Sequence, residues 1–102
     1  ERFTHSKVLQ SNEALQLFRI CQEAINNACK YSGTTELLLL CRTEENKLLL
    51  EVADKGSGFL LADNGNEEHY GLRNMRERAA AVRATLQIDT QLNSGTRITI
   101  IL

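Results

Sequence analysis

The run Ser11-Asn12-Glu13-Ala14-Leu15-Gln16-Leu17-Phe18-Arg19-Ile20-Cys21-Gln22-Glu23-Ala24-Ile25-Asn26-Asn27-Ala28-Cys29-Lys30-Tyr31 sets the architecture, because its apolar residues recur at helical spacing. Ala14, Phe18, Cys21, Ile25 and Ala28 fall on one arc of such a helix. Ser11 or Asn12 can cap its start, and Ser32-Gly33 ends it. Successive residues rotate by about 100°, so with Glu23 at zero Asn27 falls near +40°, Lys30 near −20° and Gln16 near +20°, all roughly. A carboxylate, an amide and an ammonium therefore share one ridge, opposite the apolar arc. Most polar helix faces are merely solvated, but this ridge also holds what a phosphorylated ligand requires. Magnesium takes hard oxygen ligands and usually keeps several waters. Asn27 offers a neutral carbonyl oxygen for the ion, and Lys30 a point charge for a phosphate. Glu23 can accept hydrogen bonds from the ion's waters or position a nucleophile.

Working outward, residues 2–5 read as a short edge strand. Downstream lie two β-rich runs, about 35–43 and 47–53, joined by Glu44-Glu45-Asn46. This is a hairpin pattern, with leucines dense enough to imply one well-covered face. A polar stretch bearing Gly and Asn follows to about Tyr70 and reads as a loop. A second helix is expected from Gly71 or Leu72 to Val82, then strands at about 84–90 and 96–102, separated by Leu92-Asn93-Ser94-Gly95. Helices segregated from strands in this order imply an α+β fold, a two-layer sandwich. No repeat or linker divides the chain, so residues 1–102 are read as one domain.

Composition narrows the function. Of 102 residues, 42% are hydrophobic and 25% charged, an ordinary globular balance. A net charge of −1 with no basic cluster argues against nucleic acid, which needs a concentrated positive footprint. The longest apolar run, Leu37 to Cys41, is far short of a membrane span, and no signal peptide is visible. Cys21, Cys29 and Cys41 form no zinc-like spacing and read as reduced core residues.

Two glycine-bearing segments carry further chemistry. Asp54-Lys55-Gly56-Ser57-Gly58 stands where a strand ends, and is either a plain turn or a ligand loop. It fails as a dinucleotide fingerprint, because Leu61 replaces the third glycine and no helix follows. What remains is an acidic side chain beside Gly56 and Gly58, whose backbone can approach a flat ligand closely. An ionised Asp54 accepting from an exocyclic amino group would select adenine over guanine. Gly71-Leu72-Arg73-Asn74-Met75 places a glycine at a helix start, where backbone N–H groups favour anions. Arg73, Arg76 and Arg78 cannot all reach one site. Ser94-Gly95-Thr96 is a turn, or else supplies Thr96 as a hydroxyl that bonds the base or a water beside Asp54.

In this order the segments resemble the ATP-binding domain shared by histidine kinases, gyrase, Hsp90 and MutL. Glu23-Ala24-Ile25-Asn26-Asn27-Ala28-Cys29-Lys30-Tyr31 is similar to that family's N box, and Asp54-x-Gly56-x-Gly58 to its first glycine box. Gly71-Leu72-x-Asn74-Met75 is similar to the second, and Ser94-Gly95-Thr96 to the closing element. The resemblance covers nearly the whole chain, and the run from Gly71 to Ala79 most resembles sensor kinases that pair with NarL-type response regulators. It implies a Bergerat-type sandwich of a mixed, largely antiparallel sheet against helices. It implies that Asn27 binds Mg2+, that Asp54 reads the adenine amino group with Thr96 in support, and that Lys30 and backbone near Gly71 and Leu72 face the phosphates of ATP. Residues 59–70 would form a lid over the nucleotide. The implied activity is transfer of the γ-phosphate to a histidine on a separate dimerisation domain, which in turn serves a response regulator. The fragment would be a cytoplasmic portion of a membrane-anchored parent and would turn over little or nothing alone. An ATPase or anti-sigma-type serine kinase of the same superfamily is the neighbouring alternative, and a degenerate protein-interaction module the distant one. Two departures stand out. Lys55 occupies a position where the family commonly has Asn, and no phosphoacceptor-histidine helix is present, His5 lacking the neighbours such a helix needs.

Overall fold

The computed structural model describes residues 8–29, 36–56, 71–91 and 95–102. Helix α1 spans Ser11–Asn27, and a wider π-type turn follows at Ala28–Cys29. Its N-cap is Gln10, one residue before the expected start, because Glu13 reaches back to accept the Gln10 backbone N–H at 2.9 Å. Strands β1 (Leu37–Glu44) and β2 (Lys47–Asp54) form an antiparallel hairpin. Glu45 and Asn46 both take positive φ, 52° and 65°, as a two-residue turn matched to strand twist requires. Helix α2 (Leu72–Ala81) leads through a tight turn into β3 (Thr85–Gln91), which pairs with β4 (Gly95–Ile101).

The sheet order is β1-β2-β4-β3, and every pairing among the described strands is antiparallel. Both helices lie on one face, giving the expected two-layer α+β sandwich. The expected edge strand at residues 2–5 lies outside the described residues. Leu48, Val52, Ile98 and Ile100 project from the sheet against Leu17, Ile20, Ala24, Leu72, Met75 and Ala79 from the helices. Ile20 and Met75 are fully buried at the centre. No described helix is long and apolar enough to cross a membrane.

Three expectations need correction. The core face of α1 is centred on Leu17, Ile20, Ala24 and Ala28, not on Ala14 and Phe18; Phe18 is 62% exposed. On the same helical wheel the buried residues lie at roughly 60–140°, so the core arc has turned by about 70° toward the Glu23–Asn27 ridge. The cause is α2: α1 packs into the angle between that helix and the sheet, and must present apolar groups to both. The ridge therefore borders the core instead of opposing it, and Glu23 and Asn27 are half-buried. Second, Leu37, Leu38, Leu39 and Leu40 are all exposed, because β1 is an outer strand of the described sheet and the sheet residues buried against the helices come from β2 and β4. Third, Cys29 and Cys41 are exposed and only Cys21 is partly buried; all three are free thiols.

Candidate functional site

The position of each site residue follows from helix direction. The Gln16 side-chain oxygen accepts from the Arg78 guanidinium at 3.1 Å, near the end of α2. Glu23, two turns later on α1, lies against Gly71 at the start of α2. The helices are therefore antiparallel. Because α2 ends beside the first residue of β3, its start lies toward the far end of that strand, where Gln91 pairs with Gly95. That end also holds Thr96 and Asp54, which are register partners on β4 and β2. The C-terminal turn of α1, with Asn27, thus stands over the end of the sheet that carries Asp54.

Asp54 also faces the right way. Along β2 the residues directed at the helices are Leu48, Leu50 and Val52, and strand alternation puts Asp54 on that same side. Its Oδ1 accepts the Gly56 backbone N–H at 2.8 Å, which fixes the carboxylate at the strand end and leaves Oδ2 for another donor. Gly95 is required here: at φ 83° it lies so close to β2 that a Cβ would overlap the Asp54 carbonyl and stand 3.0 Å from the Lys55 Cα. Lys55 itself is exposed.

Thr96 shares the face of Asp54 and has a partner that sequence reasoning missed. The Thr90 hydroxyl lies 2.9 Å from that of Thr96, and also 3.3 Å from the Gly95 carbonyl, to which it can donate. Either hydroxyl of the Thr90–Thr96 pair can donate to the other. Asp54, Thr96 and Thr90 thus form a polar row across β2, β4 and β3, under the end of α1. Only the β3–β4 register, which pairs Thr90 with Thr96, could have exposed this.

Gly71 takes φ 76° and is buried as the N-cap of α2. The Leu72 side chain is 2% exposed and belongs to the core, so only its backbone is available to a ligand. Arg73 pairs with Glu77 at 3.5 Å on the surface, and Arg78 serves the helix interface, so these two arginines are divided. Lys30, Gly58 and the expected lid at 59–70 lie outside the described residues.

An antiparallel sheet with two helices on one face, carrying Asp54, Thr96 and Thr90 at one end, defines an α+β sandwich. The chain belongs to the histidine kinase-, DNA gyrase B-, and HSP90-like ATPase family, whose model matches residues 12–102. It is 46% identical over 82 residues to Sensor protein VraS of Staphylococcus epidermidis, an alignment covering 80% of this chain and 23% of that protein. The chain thus spans about a quarter of the length of that relative. Its fold is similar to the histidine kinase domain of the Erythrobacter litoralis EL346 blue-light activated histidine kinase, with a TM-score of 0.75, 22% identity, and coverage of 89% of this chain and 44% of that one. Full-length ShkA in complex with AMPPNP is likewise similar in fold, with a TM-score of 0.70, 19% identity, and coverage of 84% and 21%.

Proposed function

We propose that residues 1–102 are the ATP-binding domain of a two-component sensor kinase, binding Mg-ATP and presenting its γ-phosphate to a histidine on a separate dimerisation domain. What supports this reading is that Asn27, in the last turn of α1, and Asp54, at the end of β2, lie toward the same end of the sandwich. Family membership supports it, as does the AMPPNP bound by a protein of similar fold.

The residues present fit the ligand. Asp54 accepts from the adenine amino group through Oδ2, and the Thr96 hydroxyl supports it by bonding the base or a water beside it. The glycines at 56 and 58 let backbone approach the base. The Asn27 amide oxygen would hold Mg2+, an ion that favours hard oxygen donors. Lys30 and the backbone of Gly71 and Leu72 meet the phosphates. Magnesium supplies charge neutralisation, and phosphoryl transfer demands chiefly that and positioning. The nucleophilic histidine and the response regulator it serves lie on other domains, so this chain alone turns over little. The parent is anchored in a membrane, with this domain in the cytoplasm.

Calorimetric titration tests the reading. The wild-type chain binds Mg-ATP, and Asp54→Asn weakens binding by about tenfold or more, the loss of one charge-assisted hydrogen bond worth roughly 1.5–3 kcal/mol. Absence of wild-type binding at millimolar ATP would favour a scaffold without nucleotide.

A further inference from the structure

We propose that Cys21 and Cys41 form a modification site, a dithiol that a hydroperoxide converts to a reversible disulfide joining α1 to β1. The proposal is independent of the nucleotide reading. Helix α1 meets α2 through Gln16 and Glu23, which lie at roughly +20° and 0° on the helical wheel. Cys21 lies at roughly 160°, past the core arc and on the side turned away from α2. Because α2 rests on β3 and the sheet order is β1-β2-β4-β3, that side of α1 faces β1. Cys21 is half-buried there and packs against the core. On β1, Cys41 is the register partner of Leu50, one of the β2 residues directed at the helices. Register partners share a face, so Cys41 stands on the helix side of the sheet. The two thiols also feel each other: after burial, it is Cys41 that pushes the Cys21 thiol above its ordinary value. Cys29 stands more than two turns beyond Cys21, about 12 Å along the helix axis, too far for a disulfide within α1.

The asymmetry of the pair sets the order of events. The thiolate is the reactive form, and Cys41 is exposed on an outer strand while Cys21 is shielded and held protonated. The Cys41 thiolate therefore attacks the peroxide first. The O–O bond breaks, one oxygen stays on sulfur as a sulfenic acid, and the other takes up a proton and leaves as water or an alcohol. The Cys21 sulfur then attacks the sulfenic sulfur. An S–S bond forms, the S–O bond breaks, and the Cys21 proton departs with the hydroxyl as a second water. Two thiols lose two electrons in all, and one hydroperoxide gains them. An external dithiol reverses the change by exchange.

The test exposes the folded, reduced 102-residue chain carrying Cys29→Ser to hydrogen peroxide, then alkylates the remaining thiols and weighs the product. The product should be a monomer two hydrogens lighter than the reduced chain, closed to alkylation at both cysteines, and restored by dithiothreitol. Trypsin should release residues 20–30 joined to residues 31–42. With Cys21→Ser added, the reaction should stop at a sulfenic acid on Cys41, which dimedone captures. With Cys41→Ser added instead, Cys21 should remain a thiol at the same dose. Retention of both thiols, a bond made only between two copies, or a bond that forms only in urea overturns the inference. So does capture of the sulfenic acid on Cys21 rather than Cys41. The Cys29→Ser result decides the matter alone if either further substitution unfolds the chain.

Discussion

Gly95→Ala tests how tightly the base-reading end of the site depends on one backbone contact. At φ 83° the new alanine occupies left-handed space, at a cost of about 1–2 kcal/mol. The collision adds to this, because the Cβ overlaps the Asp54 carbonyl and approaches the Lys55 Cα to 3.0 Å, and backbone cannot swing aside as a side chain can. Relief requires β4 to part from β2 at the Asp54–Thr96 pair, where each ladder hydrogen bond lost costs about 0.5–1.5 kcal/mol. The sum is about 3 kcal/mol, which in a domain of this size lowers Tm by on the order of 10–20 °C. Urea denaturation reads the stability, and calorimetry reads ATP affinity under conditions where the variant remains folded. Both should fall, since Asp54 moves with the strand end. A stability loss below about 0.5 kcal/mol, well under the smallest expected strain alone, would refute the reasoning.

Thr90→Val keeps the shape of β3 but deprives the Thr96 hydroxyl of its 2.9 Å partner; ATP affinity should fall about fivefold, one ordinary hydrogen bond, with stability little changed, and an unaltered affinity would remove Thr90 from the site. Ile20→Ala should cost about 2–5 kcal/mol in urea unfolding, whereas Phe18→Ser should cost under about 0.5 kcal/mol; equal losses would mean that the core arc of α1 is misassigned. The Cys21 thiol is pushed above its ordinary value of 9.0, first by burial and then by Cys41, so iodoacetamide at pH 8 should modify Cys21 more slowly than Cys41 or Cys29. Folding keeps that thiol neutral, so its contribution to stability is fully present below about pH 9 and is lost as pH rises through the higher folded value. Replacing Cys21 by alanine should flatten stability between pH 8 and pH 10, and an unchanged slope would contradict the shift.

Each regular element among the described residues was legible in the sequence, because periodicity, the polar Glu45–Asn46 turn and the glycines at 71 and 95 report local geometry. The packing face of α1 was not. Its apolar residues span a wide arc from Ile20 round to Phe18, and which part is buried depends on where α2 docks, a long-range fact. The same reason separates the leucines of β1 from those of β2: composition is alike, but only β2 has sheet neighbours on both sides and a helix above. At the site, residue types named Asp54, Asn27 and Thr96. Thr90 needed strand register, and the contact between Glu23 and Gly71 needed the helix pair.

A structure of this chain with magnesium and a non-hydrolysable ATP analogue bears most directly on the account. The adenine amino group should lie within hydrogen-bond reach of the Asp54 carboxylate, and the Asn27 side-chain oxygen should stand in the coordination shell of the ion. An analogue seated elsewhere on the sandwich, or an ion held without Asn27, would contradict it.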